Sequence, residues 1–544
     1  MKRAVIVVAL LAVLALPFAL RTRRVATVRD ADDRVVIVTP NNEATRYEFG
    51  RAFQGWYRAR TGRSVEIDWR VLGGTSEIAR FLESEYITAF RNHWVNELGK
   101  AWSRDVQAGS QNGRLPADAP ASAREARAAF LASEVGCGID VFFGGGTYDF
   151  ERQAVAGRLV ASRVFETHPD WFTDAVIPRV YGGEEFWDRE HLWIGCVLSS
   201  YGILFNRDSL ARLGVREPQQ WDDLADFRFF GEVALCDPTK SGSIAKAFEN
   251  ILQQRMQRRA RAAGESDPAA REARAVRAGW EDGLQLIQLV GANARYFTDT
   301  SQKPPIDVAD GNCAAGMCID FYGRAQAEAA STRGGTARLG YVSPPGGSVS
   351  SVDPIGILRG APHRTLAEAF VEFVLSMEAQ RLWNEKPGTA TGPQRYALRR
   401  LPVRRDYYAQ REWLALRSDP DANPFATEDP LIYRPERTAA VFREMAFIVR
   451  VMCQDTHEQL RAAWRAINAP DVDAARRGAA LAVLQDLSDV SYERALNEIH
   501  RALTSKNKVD EVRLASELAA KFRARYAHAA DIACGKVVFS PASE

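Results

Sequence analysis

Histidine, methionine and cysteine are all scarce in this chain, at 7, 6 and 7 of 544 residues. The histidines lie singly, and His93, His168 and His191 sit among aromatic residues, where packing is the ordinary role. No G-x-S-x-G, H-E-x-x-H, G-x-x-x-x-G-K-[ST] or G-x-G-x-x-G occurs, so the common hydrolase, zinc-protease, P-loop and dinucleotide-binding chemistries have no visible seat. The acid pairs Glu184-Glu185 and Asp222-Asp223 are adjacent in sequence, so their side chains point apart and do not form a catalytic dyad. No enzyme is expected, and no cofactor is implied. Charge of one sign is also missing: 71 Lys+Arg against 69 Asp+Glu leave +2, too little for a field that recruits nucleic acid.

An odd cysteine count leaves at least one thiol unpaired. Only Cys313 and Cys318 are close enough to suggest a local bridge, and no second pair accompanies them to make a zinc site. Cys137, Cys196 and Cys236 sit singly in apolar stretches and read as buried thiols. The one long apolar run is Ala4 to Leu20, preceded by Lys2 and Arg3 and followed by Arg21, Arg23 and Arg24. This is the pattern of a secretory signal, with an uncleaved anchor as the alternative over residues 1–24. The expected compartment is periplasmic or extracytoplasmic, tethered if that helix stays attached. The first cysteine, Cys137, is too far along for a lipoprotein.

At 46% hydrophobic the chain buries more than one core usually holds, so two lobes are expected. β-branched runs alternate with amphipathic segments: strands at 34–39, 65–72 and 138–143, and helices at 44–61 and 76–86. Residues 107–128 read as a surface insertion, and the arginine-rich stretch 255–277 as an exposed appendage. A long, nearly uncharged stretch at 194–206, interrupted by Ser199-Ser200, suits a strand that crosses between lobes. From about residue 401 the chain is mostly helical.

Six segments in order carry a resemblance: PNNEATRYEF (40–49), DVFFGGG (140–146), SSYGILFNRD (199–208), DPTKSGS (237–243), MCIDFYGR (317–324) and GAPHRTLAEAFVEFVLSMEAQ (360–380). Over residues 34–400 the chain resembles the family 1 extracellular solute-binding proteins of ABC importers, the ferric, sugar-phosphate and phosphonate receptor group. The resemblance implies an α/β, two-lobed type II periplasmic-binding-protein fold with hinge strands and ligand in the cleft. Lobe 1 would comprise 34–198 and, on return, 346–400; lobe 2 would comprise 199–345. The helical C-terminal extension 401–544 is expected to pack on lobe 1. The implied partners are a small anionic solute and a membrane permease, with the protein a monomer.

The candidate ligand residues cluster at strand ends and helix starts. Lys240, Ser241, Gly242 and Ser243 precede a helix, where backbone N–H groups and the dipole converge on an anion; a plain Ser cap explains the serines equally well. Gly73-Gly74 followed by Thr75 and Ser76 repeats that arrangement, so two helix N-termini would clamp one anion. Asn41, Asn42 and Glu43 follow the first strand, and Thr147 and Tyr148 follow a triple glycine, at the carboxyl ends where open sheets bind ligands. Ser199, Ser200 and Tyr201 lie at the crossing, and Asp320 with Tyr322 at another strand end. A phosphorylated sugar, organophosphate or phosphonate is the expected solute. The alternative is ferric ion or a ferric chelate held by Tyr201, Tyr322, Asp320 and Glu43, since phenolate and carboxylate are hard oxygen donors.

Overall fold

In the computed structural model, which describes residues 31–262, 267–334, 337–426, 430–505 and 507–537, the buried run Asp33–Val38 forms strand β1. The leader of residues 1–24 lies outside the described residues. Helix α1 (Glu43–Thr61) follows, opened by Asn42, whose side chain accepts from the Thr45 N–H, and closed by Gly62 at φ 72°. It buries Phe49 and Phe53 beneath β1. Next come β2 (Val65–Arg70), α2 (Thr75–Asn92) and β3 (Val141–Phe143), with both strands parallel to β1. Helices at Arg104–Gln111 and Ala121–Ala132 place Val106, Ala126 and Phe130 in this core, so 107–128 is part of lobe 1 rather than a surface insertion. Helix α3 (Thr147–Ala156), β4 (Leu159–Val160) and the hairpin of β5 (Val180–Tyr181) with β6 (Glu184–Glu185) continue lobe 1.

The crossing occurs at one residue. Strand β7 (Ile194–Ser199) belongs to the first sheet and β8 (Tyr201–Asn206) to the second, with Ser200 between them. Lobe 2 adds β9 (Val233–Cys236), α4 (Gly242–Ala262), α5 (Pro268–Asn293), β10 (Ala294–Thr298), β11 (Ala315–Ile319), α6 (Asp320–Gly334) and β12 (Leu339–Val342). The chain returns in β13 (Ser351–Leu358), antiparallel to β7, and later adds β14 (Leu401–Pro402) to the same edge. Among the described residues the lobe 1 sheet runs β14-β7-β13-β3-β1-β2, with β4 on β13, and the lobe 2 sheet runs β10-β9-β11-β8-β12. After the return the chain forms two helices, Arg364–Leu375 and Met377–Asn384, broken where Ser376 leaves the helical conformation to cap the second.

Two expectations fail on packing. Helices α4 and α5 form a tight hairpin: a Cβ on Gly279 would fall 2.4 Å from the Met256 nitrogen, and Met256, Ala275 and Val276 are buried. The stretch 255–277 is therefore largely the body of lobe 2, although 263–266 lie outside the described residues. The C-terminal extension divides. Residues 401–426 do pack on lobe 1 through Leu401, Val403, Ala422 and Phe425. The helices α7 (Phe442–Val449), α8 (His457–Ile467), α9 (Ala474–Leu484) and α10 (Lys508–Ala533) share the core of lobe 2 instead. The apolar faces of α4 and α5, turned away from the lobe 2 sheet, are what they cover. All seven cysteines are free, so the Cys313–Cys318 bridge is not formed; both thiols are buried beside β11.

Candidate functional site

Between the lobes lies a cleft of about 660 Å³. Strand ends and helix starts supply its lining, because loops after parallel strands emerge on one side of each sheet. Asn41, Asn42 and Glu43 stand at the start of α1, Thr75 at the start of α2, Lys240 to Ser243 at the start of α4, and Tyr322 in the first turn of α6. The N-terminus of α2 has no side-chain cap, so Gly74 leaves its first-turn N–H groups open. That of α4 faces it: a Cβ on Gly74 would lie 3.4 Å from the Lys240 carbonyl oxygen. Ser241 Oγ accepts from the Ile244 N–H at 3.3 Å, so this serine is a helix cap as well as a cleft residue. Two glycines hold the lobe 1 side together. Gly144 and Gly145 have φ of 89° and 118°, and a Cβ on either would run into Asn41 or Thr75.

The cation at the floor of the cleft is Arg400, which sequence reasoning missed. Its Nη2 donates to Ser199 Oγ at 2.6 Å and to Asp353 Oδ2 at 2.5 Å, and its guanidinium lies 4.5 Å from the Phe321 ring centroid. Burial alone would lower its pKa, but Asp353 more than compensates and holds it charged. Its Nε is buried without a hydrogen-bond partner. Arg399 aims it: φ there is 53°, a strained left-handed conformation, held by ion pairs from the Arg399 side chain to Glu328 and Asp419. Side-chain charge does not make the cleft positive, since Glu43, Glu77, Asp299 and Asp353 outnumber Arg46, Lys240 and Arg400. The attraction for an anion comes from helix N-termini and from the one buried guanidinium.

Six sequence candidates fall elsewhere. Thr147, Tyr148 and Tyr201 line a separate cavity of about 110 Å³ with Lys246, Glu184 and Tyr433, where Gly242 and Ser243 form a shared wall. Tyr201 is buried, and its hydroxyl meets Ser351 Oγ at 3.1 Å. Ser76 faces a third space, a groove beside the C-terminal helices. Ser200 is the hinge, its Oγ 3.3 Å from that of Ser343. Asp320 is fully buried and accepts from Arg324 at 2.8 Å, because its position at the start of α6 turns it under the sheet.

The alternative donor set for iron is thereby dispersed. Glu43 and Tyr322 line the cleft, while Tyr201 and Asp320 do not. Burial raises the pKa of Tyr201 and pushes Tyr322 up to about 12, which keeps both phenols protonated at neutral pH. Among the described residues no group of three or more His, Cys, Asp or Glu is placed to hold a metal ion, and no helix is long and apolar enough to cross a membrane.

Residues 139–398 match the family described as bacterial extracellular solute-binding protein. That family is one of solute-binding proteins of transport systems, not of enzymes. Among curated proteins the chain is 26% identical over 248 residues to an uncharacterized protein of Haemophilus influenzae, covering 45% of this chain and 61% of that protein. It is 22% identical over 278 residues to the phosphoglycerate transport regulatory protein of Salmonella typhimurium, covering 51% of this chain and 58% of that one. The chain thus spans about three-fifths of the length of the curated relatives it matches. Among solved structures, a periplasmic binding protein of Actinobacillus pleuropneumoniae with exogenous fructose-6-phosphate bound aligns at TM-score 0.46 and 17% identity, over 80% of this chain and 98% of that one. Iron-bound HitA of Pseudomonas aeruginosa aligns at TM-score 0.44 and 16% identity, over 76% and 99%.

Proposed function

We propose, from a chain whose residues 139–398 carry the pattern of bacterial extracellular solute-binding proteins, that the interlobe cleft captures a small anionic solute of the phosphorylated-sugar, organophosphate or phosphonate type. The protein acts outside the cytoplasm as a monomer and delivers the solute to the membrane permease of an ABC importer. The observation that carries this reading is the meeting of the uncapped N-terminus at Gly74 with that at Ser241 and Gly242, beside the buried guanidinium of Arg400. Open N–H groups, hydroxyls and one fork-shaped cation together suit a tetrahedral oxyanion. The cleft acids Glu43, Glu77 and Asp299 would then accept from the hydroxyls of an organic body, which free phosphate lacks. The name of the Salmonella relative, a phosphoglycerate transport regulatory protein, points to the same class of solute.

Calorimetry with 3-phosphoglycerate, fructose 6-phosphate, a phosphonate and ferric citrate tests the reading. At least one phosphorylated compound binds the wild type, and Arg400→Met weakens it by about 10- to 150-fold, the loss of a charge-assisted hydrogen bond worth roughly 1.5–3 kcal/mol. Binding of ferric citrate alone, or full affinity in the Arg400 variant, overturns it.

A further inference from the structure

We propose a second anion site, apart from the cleft, in the groove where lobe 1, lobe 2 and the C-terminal helices meet, and assign it to a compact polyanion of the pyrophosphate class. The groove encloses about 720 Å³ and exists only because the extension packs where it does. One wall is lobe 1, with Arg80 on α2 and Arg152 on α3; the second is the loop through Lys240 before α4; the third is the extension, with Arg443, Arg450 and Lys508. Phe442 and Phe447 form an apolar floor, and the Phe442 ring lies 4.9 Å from that of Tyr148 across the lobe junction.

Arg80 is paired with Glu77 at 2.7 Å, whereas the cations of the extension are incompletely matched. Arg443 and Lys508 share one carboxylate, Glu511, each at 3.4 Å, and Arg450 reaches Asp455 at 3.5 Å. The Arg450 Nε is buried without a hydrogen bond. Of the acids that face the groove, Asp237 is engaged by the Thr239 N–H and hydroxyl, both at 2.7 Å. Burial raises the Asp149 carboxyl to about 6, so it is ionised at neutral pH and sets one side of the groove against anions. Arg152, on the same helix, offsets part of that charge, and the favourable ground lies between it and Arg443 and Lys508 of the extension. Three cations on two bodies, Arg152 on lobe 1 and Arg443 with Lys508 on the extension, suit an anion with more than one charged group, and the volume exceeds that of a single phosphate.

Lys240 and Gly242 line both the groove and the cleft and stand as the wall they share, so one ligand does not fill both. An anion held by lobe 1 on one side and by the extension on the other favours the closed arrangement of the lobes. By linkage it tightens the cleft for its solute, and the cleft solute tightens it in return.

The probe is inorganic pyrophosphate, titrated calorimetrically into the full chain at about 0.15 M salt, where loose surface attraction is screened. The expected result is a saturable site that weakens at least about tenfold in the Arg152→Gln, Arg443→Gln, Lys508→Gln triple variant, whose side chains are wholly or partly solvent-accessible and whose fold is checked by its thermal midpoint. The same site persists in Arg400→Met and in its milder counterpart Arg400→Lys, which separates this proposal from the reading of the cleft. Loss of pyrophosphate binding in the Arg400 variants, unchanged binding in the triple variant, or no saturable binding at that salt overturns it.

Discussion

Arg399 and Asp149 show how much single residues carry here. Arg399 holds a left-handed backbone through two ion pairs, and the reward of that strain is the direction of its neighbour Arg400 into the cleft. Asp149 stands in the first turn of α3, and its Oδ2 would lie 3.6 Å from a Cβ on Gly242, so a lobe 1 carboxyl abuts the N-terminus of a lobe 2 helix. Burial raises it from 3.8 to about 6. A carboxyl whose folded pKa lies above the unfolded one favours folding most below the unfolded value, and that contribution is lost as pH rises through the folded value. Asp149→Asn removes the dependence. Relative to wild type the variant therefore gains about 2–3 kcal/mol between about pH 4 and pH 7.5, seen in urea unfolding at the two ends of that range. A gap between the two proteins that stays constant with pH refutes the assignment.

The α4–α5 hairpin is the element whose role differs most from its composition. Its arginines give a solvated look, yet Gly279 and Gly283 let the two helices approach until Met256 and Leu252 fill the glycine positions. Arg437 of the extension, nearly buried, closes a two-pronged ion pair on Glu272 of α5. Replacing residues 255–277 by a short linker removes the burial of Met256 and Val276 and strands that arginine. Loss of several kcal/mol, and with it a marked fall in the thermal midpoint of lobe 2, is the expected outcome. A variant with wild-type unfolding would return the hairpin to the status of an appendage.

Among the described residues the lobes are joined by β7 into β8, by β12 into β13, and within the extension at Tyr433 and Arg434. There the Tyr433 N–H donates to the Gly182 carbonyl of lobe 1 at 2.8 Å, while the Arg434 N–H donates to Gln253 of lobe 2 at 3.3 Å. Lys246 of α4, buried, pairs across the junction with Glu184 of lobe 1 at 2.7 Å and within its helix with Glu249 at 2.9 Å. Lys246→Met leaves two carboxylates facing each other in a dry site, at a cost of about 3–5 kcal/mol. The solute-free variant is expected to open, with a larger radius of gyration in solution scattering than wild type. Adding Glu184→Gln and Glu249→Gln should recover most of the stability, since no charge then remains buried unpaired. A lone Lys246→Met variant with unchanged radius and stability rules out the clasp.

Short-range pattern was enough for much of this architecture. The alternation of β-branched runs with amphipathic helices marks two α/β lobes, and the break at Ser199-Ser200 marks the crossing. Glycine and asparagine at strand ends mark the loops that meet in the cleft, because backbone direction at the end of a parallel strand is set locally. The side chains needed more. Ser200, Tyr201 and Asp320 sit at the right strand ends but point into the hinge, a separate cavity and an ion pair, and one residue of register decides which face each takes. Arg400 carried no local signal among 71 Lys+Arg, because its role depends on Asp353 and Ser199, which are distant in sequence. The docking of the extension on lobe 2 was equally hidden: its amphipathic helices would suit either lobe, and only the apolar face left uncovered by α4 and α5 selects one.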